Sequence, residues 1–269
     1  MSPSSGGPGT PDDGVSQVTS YDEAFYAHIR DGAARSAAAV SALLYPHLRP
    51  RSILDVGCGD GTWLLAWSAL GVADFAGVDG VHLERGPLRI EADRFRAADL
   101  SQPLRLERRF DLVQSLEVAE HLPASAADDF VASLTRHSDL VLFSAAPPGQ
   151  IGNHHLNEQP YEYWRRRFAA AGYDCYDFVR PALARAAEVE PWYRYNMFLY
   201  VQRRAAAALP QAIAATRVPG EVTLRDSAPV AWRLRKTILS ALPRWGATAI
   251  SQMSAHCSSA LRRLSRNTR

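Results

Sequence analysis

Short apolar runs alternate with longer amphipathic stretches along most of the chain, a pattern typical of strands that alternate with helices. Strands joined by helices form parallel pairs with right-handed crossovers. The pattern therefore predicts an α/β fold with a doubly wound, seven-stranded, mostly parallel sheet. The predicted strands lie at 51–56, 74–78, 95–98, 110–116, 139–145, 173–179 and 195–202. The predicted helices lie at 21–48, 62–70, 124–136 and 160–171.

Composition divides the chain into three parts. Residues 1–19 are rich in Ser, Gly and Pro, which predicts a disordered leader without the features of a secretory signal. Residues 20–204 contain the predicted domain, which begins with N-terminal helices over its entrance. Residues 205–269 contain prolines and two basic amphipathic stretches, which predict a basic helical tail. The apolar faces of these stretches consist of Ala231, Leu234, Ile238, Leu242 and Trp245, and of Ile250, Met253, Cys257, Leu261 and Leu264.

The net charge of +2 is unevenly distributed. After position 204, ten Arg and Lys residues stand against two acidic residues, which gives the tail a charge of +8 and residues 1–204 a charge of −6. Because nucleic-acid binding depends on neutralising phosphates, the acidic body disfavours a nucleic-acid partner. Two arrangements suit the tail: contact with an anionic membrane surface or a protein partner, or packing on its own domain with a solvated arginine face.

Two features bear on the compartment. No apolar run approaches the ~18 residues that a membrane span needs. The three cysteines, Cys58, Cys175 and Cys257, are odd in number and far apart in sequence, which argues against a disulfide framework or a structural zinc site. We therefore expect a protein of the reducing cytoplasm.

A glycine-rich turn joins the first predicted strand to the helix that follows. It reads DVGCGDGT from Asp55 to Thr62. Glycines let the backbone approach a ligand closely, and the N–H groups of a helix start can face that ligand. A G-x-G motif alone indicates only an adenosine or phosphate ligand.

Acidic residues at the ends of the first three strands narrow this interpretation. Asp55, Asp79 and Asp99 lie there or beside the glycine turn. The carboxyl ends of parallel strands meet at one edge of a sheet, so we expect these side chains to converge on one ligand. Asp79 is placed to accept the ribose hydroxyls, and Asp99 to accept an adenine amine proton. The alternative is that some of them are ordinary loop or cap aspartates.

These segments resemble the class I S-adenosylmethionine-dependent methyltransferases. The likeness is carried by ILDVGCGDGT at 53–62, GVDG at 77–80, DL at 99–100 and FDLVQSLE at 110–117, and it spans about residues 21–202. It implies S-adenosylmethionine as the cofactor and an antiparallel last strand. By the resemblance, the loop of Gly57, Cys58, Gly59 and Gly61 beside Asp55 holds the amino-acid part, Asp79 and Gly80 the ribose, and Asp99 and Leu100 the adenine, while Ser115, Leu116 and Glu117 lie near the reactive methyl group.

A nicotinamide-dependent dehydrogenase is the main alternative for the glycine turn. Its fingerprint is G-x-G-x-x-G, whereas here the third glycine, Gly61, comes one position early. The spacing to Asp79 suits both families. Asp55, Asp99 and the sequence after the fourth strand favour the methyltransferase.

The candidate catalytic residues follow the fourth strand. On a helical turn, Glu117, Glu120 and His121 would share one face, since positions i, i+3 and i+4 lie together. Two interpretations stay open. His121 is a general base oriented by a carboxylate, or the three side chains hold a divalent ion that lowers the pKa of a bound hydroxyl. A structural cap on the helix is the third possibility.

The E-x-x-E-H pattern is similar to that of ubiquinone-type O-methyltransferases and small-RNA 2′-O-methyltransferases, in which it is associated with a divalent metal. The resemblance implies magnesium or manganese held by Glu117, Glu120 and His121, with His155 from the loop after the fifth strand as a fourth ligand. The remaining motifs of those families are absent, so their substrates do not carry over.

The acceptor is indicated only by the loops. The segments at 143–150, 154–160 and 163–164 are similar to a bacterial subgroup of uncharacterised methyltransferases associated with glycan or secondary-metabolite pathways. Polar residues and the aromatic Tyr161, Tyr163 and Trp164 suit a hydroxyl-rich acceptor such as a sugar, although Trp164 also fits the core face of its helix. We expect O-methylation of a small molecule, glycoside or glycan precursor. The alternative is a non-catalytic cofactor-binding subunit that acts through its basic tail.

Overall fold

A computed structural model describes residues 19–80, 88–152 and 154–241, with side chains described from residue 31 onward. Seven strands form one sheet in the order β3-β2-β1-β4-β5-β7-β6. They are β1 (Ser52–Val56), β2 (Asp74–Asp79), β3 (Phe95–Ala97), β4 (Leu112–Leu116), β5 (Leu140–Ser144), β6 (Tyr173–Tyr176) and β7 (Phe198–Gln202).

The helices cover both faces of this sheet. They are α1 (Thr19–Leu48), α2 (Thr62–Ala69), α3 (Ala127–His137), α4 (Tyr161–Ala170), α5 (Val179–Leu183), α6 (Pro191–Asn196), α7 (Gln211–Ala214) and α8 (Val230–Ser240). Short 3₁₀ helices lie at Ala92–Arg94, Ala119–His121, Ala124–Ala126 and Arg203–Ala208.

The sheet confirms the predicted fold class. Strands β1 to β5 pair in parallel, and β7 runs antiparallel between β5 and β6. Asp55 in β1 lies in register with Gly77 of β2 and with Gln114 of β4. The carboxyl ends of the three strands therefore meet at one edge, as the site requires.

Alternate residues of each central strand enter opposite cores. In β5, Val141 and Phe143 pack under α3 and α4, while Leu142 packs under α1, α2 and α5. Side chains alternate between the faces of a strand, and a strand covered on both faces therefore reads as a continuous apolar run. This is why the central strands were visible in the sequence.

The predicted ends of the last two strands are wrong. Strand β6 stops at Tyr176, and Val179 already begins a helix, stabilised by the ion pair of Arg180 with Asp177 three residues earlier. The strand predicted from 195 begins at Phe198, because Pro191 starts α6 and its fixed φ suits the first helical position.

The described part of the predicted tail packs on the domain. Arg217 forms a bridge with Tyr176 at the edge of the sheet, and α8 lies against Gly149 in the loop after β5. The predicted apolar face is not the packed one: Leu234 and Ile238 are more than half exposed, whereas Lys236 and Leu239 are buried. Lys236 tolerates burial because it pairs with Asp226.

The predicted leader, except Thr19, and the second amphipathic stretch lie outside the described residues. Among those that are described, no helix is long and apolar enough to cross a membrane. Cys58 and Cys175 are buried free thiols.

Candidate active site

The glycine turn between β1 and α2 is tied to the neighbouring strand. The N–H groups of Gly57 and Cys58 donate to the Val78 carbonyl at 2.7 and 3.2 Å. Gly57 has a φ of 86°, and a Cβ there would overlap the Val118 side chain, with Cγ1 at 2.7 Å. This close approach brings the turn against the segment that follows β4.

Asp79 organises the same turn from β2. Its carboxylate accepts hydrogen bonds from Gly59 N at 2.7 Å and from Gly80 N at 2.6 Å. Each carboxylate oxygen has two lone-pair sites, so both can still accept a ribose hydroxyl. A Cβ added at Gly59 would meet nothing within 4 Å, so this side of the turn is open to a ligand.

Asp55 is buried beneath the turn. Desolvation by burial, and to a lesser extent the charge of Asp79, raises its pKa to about 7 against the lowering effect of the Gln114 amide. Its Oδ2 accepts no hydrogen bond from the described residues. A buried acceptor that lacks a donor fits the ammonium group of an S-adenosylmethionine amino-acid moiety.

The other predicted cofactor residues differ in exposure. Asp99 is exposed after β3, and two hydrogen bonds from Ser101, from Oγ at 2.7 Å and N at 2.9 Å, lower its pKa. It thus serves as a turn residue, and its contact with adenine stays a prediction. Leu100, Leu116 and Ser115 are buried. Burial raises the pKa of the Cys58 thiol, which leaves the backbone of Cys58 as its polar contribution to the turn.

Glu117 lies directly after β4 in a left-handed conformation with a φ of 57°. Its N–H donates to the Ser144 carbonyl at 3.0 Å. Its carboxylate accepts from Gln150 Nε2 at 2.5 Å and from Asn196 Nδ2 at 3.4 Å. Desolvation raises the pKa of Glu117, and these hydrogen bonds oppose the rise. Strained non-glycine residues of this kind are concentrated at functional sites.

The predicted helical turn from Glu117 to His121 is therefore shorter than expected. The 3₁₀ turn begins at Ala119, so Glu117 does not share a helical face with Glu120 and His121. The strand end and the positive φ of Glu117 turn its carboxylate toward Gln150 and Asn196 instead.

A cluster of three side chains lies beyond Glu117. Glu120, His121 and His155 each offer a ligand atom within 4.8 Å of the others. The two imidazole rings stand edge to face with centroids 4.9 Å apart. Burial, and secondarily the charge of Glu117, raises the pKa of Glu120 well above its usual value. Its Oε2 accepts no hydrogen bond from the described residues.

Glu158 holds His155 in this cluster. His155 Nδ1 lies 2.7 Å from Glu158 Oε1, and the same carboxylate accepts from the backbone N–H groups of Gly149 and Ile151 at 2.8 and 2.7 Å. Gly152 allows the ring to fold back, since a Cβ there would lie 2.6 Å from His155 Cε1. The sequence interpretation missed these roles of Glu158 and Gly152, although a carboxylate three residues after a histidine is a detectable signal.

Helix α6 adds residues to the site that the sequence analysis did not assign to it. Tyr193 packs edge to face on Trp63 of α2, with ring centroids 4.9 Å apart, and burial raises the pKa of its hydroxyl. Asn196 contacts Glu117 directly. Conversely, Trp164 belongs to the core against Phe143 and is not a sugar platform.

Comparison with known proteins identifies the family to which this chain belongs. A family model described as a methyltransferase domain matches residues 26–177, more than half of the chain. The chain belongs to this methyltransferase family. It is a class I S-adenosylmethionine-dependent methyltransferase, and its seven-stranded sheet has the antiparallel last strand that the resemblance implied. The nicotinamide-dependent dehydrogenase is thereby rejected.

Individual relatives agree on the fold. The chain is 30% identical over 144 residues to a ubiquinone biosynthesis O-methyltransferase of Neisseria meningitidis serogroup C (strain 053442), a match that covers 50% of this chain and 60% of that relative. The sugar N-methyltransferase KedS8 from Streptoalloteichus sp ATCC 53650 superposes with a TM-score of 0.53 at 20% identity, over 76% of this chain and 100% of that one. DesVI of Streptomyces venezuelae gives a TM-score of 0.50 at 18% identity, over 70% and 98%.

Proposed function

We propose that this methyltransferase transfers the methyl group to a hydroxyl of a small molecule, glycoside or glycan precursor. The observation that carries the proposal is the cluster of Glu120, His121 and His155 just beyond β4, at the sheet edge that holds the cofactor turn. Hydroxyl methylation needs a group that removes or acidifies a proton, and this cluster offers both chemistries. The ubiquinone biosynthesis O-methyltransferase relative supports a hydroxyl acceptor.

In the first mechanism, His121 is the general base. Partial desolvation, followed by the charge of His155, lowers the pKa of His121 and keeps its imidazole neutral over a wider pH range. A neutral imidazole can take the hydroxyl proton while the acceptor oxygen attacks the methyl carbon. S-adenosylmethionine supplies that methyl on a sulfonium, whose carbon–sulfur bond breaks as the carbon–oxygen bond forms. The chain itself aligns the two reactants.

A divalent cation is the second mechanism, and the donor set fits one. Glu120 presents a buried oxygen with no described hydrogen-bond donor, beside two imidazoles. Glu158 would orient His155 through Nδ1, as carboxylates commonly do for histidine ligands. Bound there, magnesium or manganese would acidify a coordinated hydroxyl. Glu117 would join only if its carboxylate turned away from Gln150.

Cofactor binding and an acceptor screen test the proposal. Isothermal titration should show binding of both S-adenosylmethionine and its demethylated product. Labelled cofactor, offered with nucleotide sugars, glycosides and phenols, should then transfer its methyl to a hydroxyl. Transfer to amines alone would refute the O-methylation proposal, and cofactor binding without transfer to any acceptor would favour the non-catalytic subunit.

Chelation separates the two mechanisms. If a cation is bound, we expect EDTA to reduce the transfer rate by at least ~10-fold, because the acidified hydroxyl is lost, and magnesium or manganese to restore it. If His121 alone is the base, the rate is unchanged. The measurement is the initial rate of label transfer before and after chelation, with dialysis against metal-free buffer as the control.

Gly152→Ala is expected to impair transfer while sparing cofactor affinity. The new Cβ would displace the His155 ring from Glu120 and His121, and we expect a loss of about 10-fold in kcat, as for displaced supporting groups at other sites. Cofactor affinity, measured by titration, should stay within ~2-fold because Gly152 lies away from the glycine turn. Gly220→Ala is the matched control, since a Cβ there meets nothing within 4 Å. Unchanged kcat in Gly152→Ala would remove His155 from the mechanism.

The remaining proposals concern partners and location. We propose a cytoplasmic enzyme with a catalytic domain, residues 20–204, and a basic tail, residues 205–269, the described part of which packs on that domain. Exposed Leu234 and Ile238 on α8, with the neighbouring Arg233, support contact of this tail with a protein partner or an anionic membrane surface. Co-sedimentation with anionic and neutral vesicles tests the membrane contact, and equal recovery with both would refute it.

A further inference from the structure

A chain of side-chain hydrogen bonds leads from Tyr161 at the start of α4 to Glu117. The Tyr161 hydroxyl lies 2.9 Å from Asn196 Oδ1. Asn196 Nδ2 donates to Gln150 Oε1 at 2.7 Å, and Gln150 Nε2 donates to Glu117 Oε2 at 2.5 Å. Four residues from α4, α6, the loop after β5 and the end of β4 thus form one polar relay.

The relay has a direction. An amide has an acceptor end and a donor end, so fixing one end of Asn196 fixes the other. The Tyr161 hydroxyl faces the Arg180 guanidinium, which can only donate. It also faces two acceptors, Asn196 Oδ1 and the Tyr195 carbonyl at 3.3 Å, so its own proton points to the acceptors. This sets Asn196 Nδ2 toward Gln150, which in turn sets Gln150 Nε2 toward the carboxylate.

The opposite direction is disfavoured at the carboxylate. Reversing the Gln150 amide would place its oxygen against Glu117 Oε2. Two acceptor oxygens that face each other in a buried site cannot form a hydrogen bond, and burying them unpaired costs free energy. The present direction gives Glu117 Oε2 a donor in Gln150, while Asn196 Nδ2 lies 3.4 Å from Oε1. The carboxylate is held at both oxygens.

The far end of the relay is anchored in the core. The Tyr161 ring packs edge to face on Phe198 at 5.2 Å. The buried guanidinium of Arg180 lies 4.0 Å from the Phe198 ring centre and is itself fixed by two hydrogen bonds to Asp177 at 2.8 and 2.6 Å. The Tyr161 hydroxyl therefore has little freedom to leave Asn196.

We propose that Tyr161 is a positioning residue, which acts through Asn196 and Gln150 to aim the Glu117 carboxylate at the place where the methyl group is transferred. The inference rests on the proposed function only in assigning Glu117 to the reacting site. Tyr161 shares no hydrogen bond with the carboxylate, so its influence passes through Asn196, which contacts Glu117 both directly and by way of Gln150. That indirect influence is what the experiments measure.

Side-chain amide NMR tests the relay without an acceptor. In ¹H–¹⁵N spectra, the Gln150 NH₂ signal is identified by its loss in Gln150→Ala. Tyr161→Phe, which retains the ring and removes the hydroxyl, is expected to shift this signal although Tyr161 and Gln150 share no hydrogen bond. The control is Tyr173→Phe, which removes a buried hydroxyl bound to the Ser138 carbonyl on another part of the sheet. A Gln150 signal that stays unmoved in Tyr161→Phe would overturn the relay.

Kinetics then test its consequence. Tyr161→Phe is expected to lower kcat about 10-fold with the KM for S-adenosylmethionine unchanged, the usual scale for outer groups that orient a reacting one. In an Asn196→Ala background, Tyr161→Phe should have little further effect, because Asn196 is the residue through which Tyr161 reaches both Gln150 and Glu117. Equal effects in both backgrounds would reduce Tyr161 to a structural residue. If Tyr161→Phe does not fold, Gln150→Ala replaces it in this cycle, and its effect should likewise be smaller in the Asn196→Ala background.

The two proposals fail differently. If methyl transfer goes to amines alone, the O-methylation proposal fails while the NMR result and the kinetic cycle, run on the amine acceptor, still decide the relay. If a hydroxyl is methylated but Tyr161→Phe lowers kcat equally in both backgrounds, only the relay fails.

Discussion

Asp79→Ala is expected to raise the Kd for S-adenosylmethionine at least ~100-fold. A hydrogen bond to a carboxylate typically contributes about 1.5–3 kcal/mol, and two ribose hydroxyls would lose their acceptor. The change also removes the acceptor of Gly59 N and Gly80 N, which would loosen the glycine turn. Isothermal titration of the cofactor and of its demethylated product measures the loss.

Asp111→Ala provides the matched control. Asp111 also accepts a backbone N–H, from Arg51 at 2.8 Å, but it lies just before β4 begins, at the end of the sheet opposite the site. Its cofactor affinity should stay within ~2-fold of the unchanged protein, since distant sites act independently. A folded Asp79→Ala protein that binds the cofactor as tightly as Asp111→Ala would remove Asp79 from the cofactor site.

Local signals explain why the placement of the glycine turn and Asp79 at one edge of the sheet could be predicted. The glycine turn and Asp79 follow directly from strands that are apolar on both faces, and the strand order places their carboxyl ends together. Each assignment needed only a short window of sequence and one rule about parallel sheets. Asp99 also follows its strand, where its carboxylate accepts hydrogen bonds from Ser101, and its contact with adenine stays a prediction.

The acceptor half depends on contacts between distant segments. Asn196 meets Glu117 across 79 residues of sequence, and Gln150 meets it across 33. No periodicity predicts which loop amide will face a given carboxylate. For the same reason, only the resemblance indicated His155 as a metal ligand. His155 reaches Glu120 and His121 because Glu158 and Gly152 shape its loop.

In the tail, the hydrophobic pattern of the sequence and the observed packing of α8 disagree. The apolar stripe of α8 predicted that Leu234 and Ile238 would be the contact face, yet both are exposed. Two features hidden from the pattern decide the docking: a glycine at 149 that admits the helix backbone, and Asp226, which neutralises Lys236. A buried ion pair and a backbone contact have no hydrophobic periodicity.

Gly149→Ala follows from that docking and is expected to destabilise the protein by about 2–5 kcal/mol, the sum of left-handed strain of ~1–2 kcal/mol and overpacking of ~1–3 kcal/mol. Gly149 has a φ of 82°, and its new Cβ would overlap the Lys236 carbonyl oxygen, with the carbonyl carbon at 2.7 Å. The neighbour is helix backbone and cannot rotate away, so α8 or the loop must move. Urea unfolding measures the free energy.

Gly172→Ala separates strain from overlap. Gly172 has a similar φ of 87°, but its new Cβ would meet only the Gln202 side chain, with Nε2 at 3.2 Å. We expect this control to lose about 1–2 kcal/mol of unfolding free energy and to keep full methyl transfer. Gly149→Ala should lose more and should also slow transfer, because Gln150, which donates to Glu117, is the next residue. Equal losses of stability with unchanged transfer would mean that α8 does not support the active site.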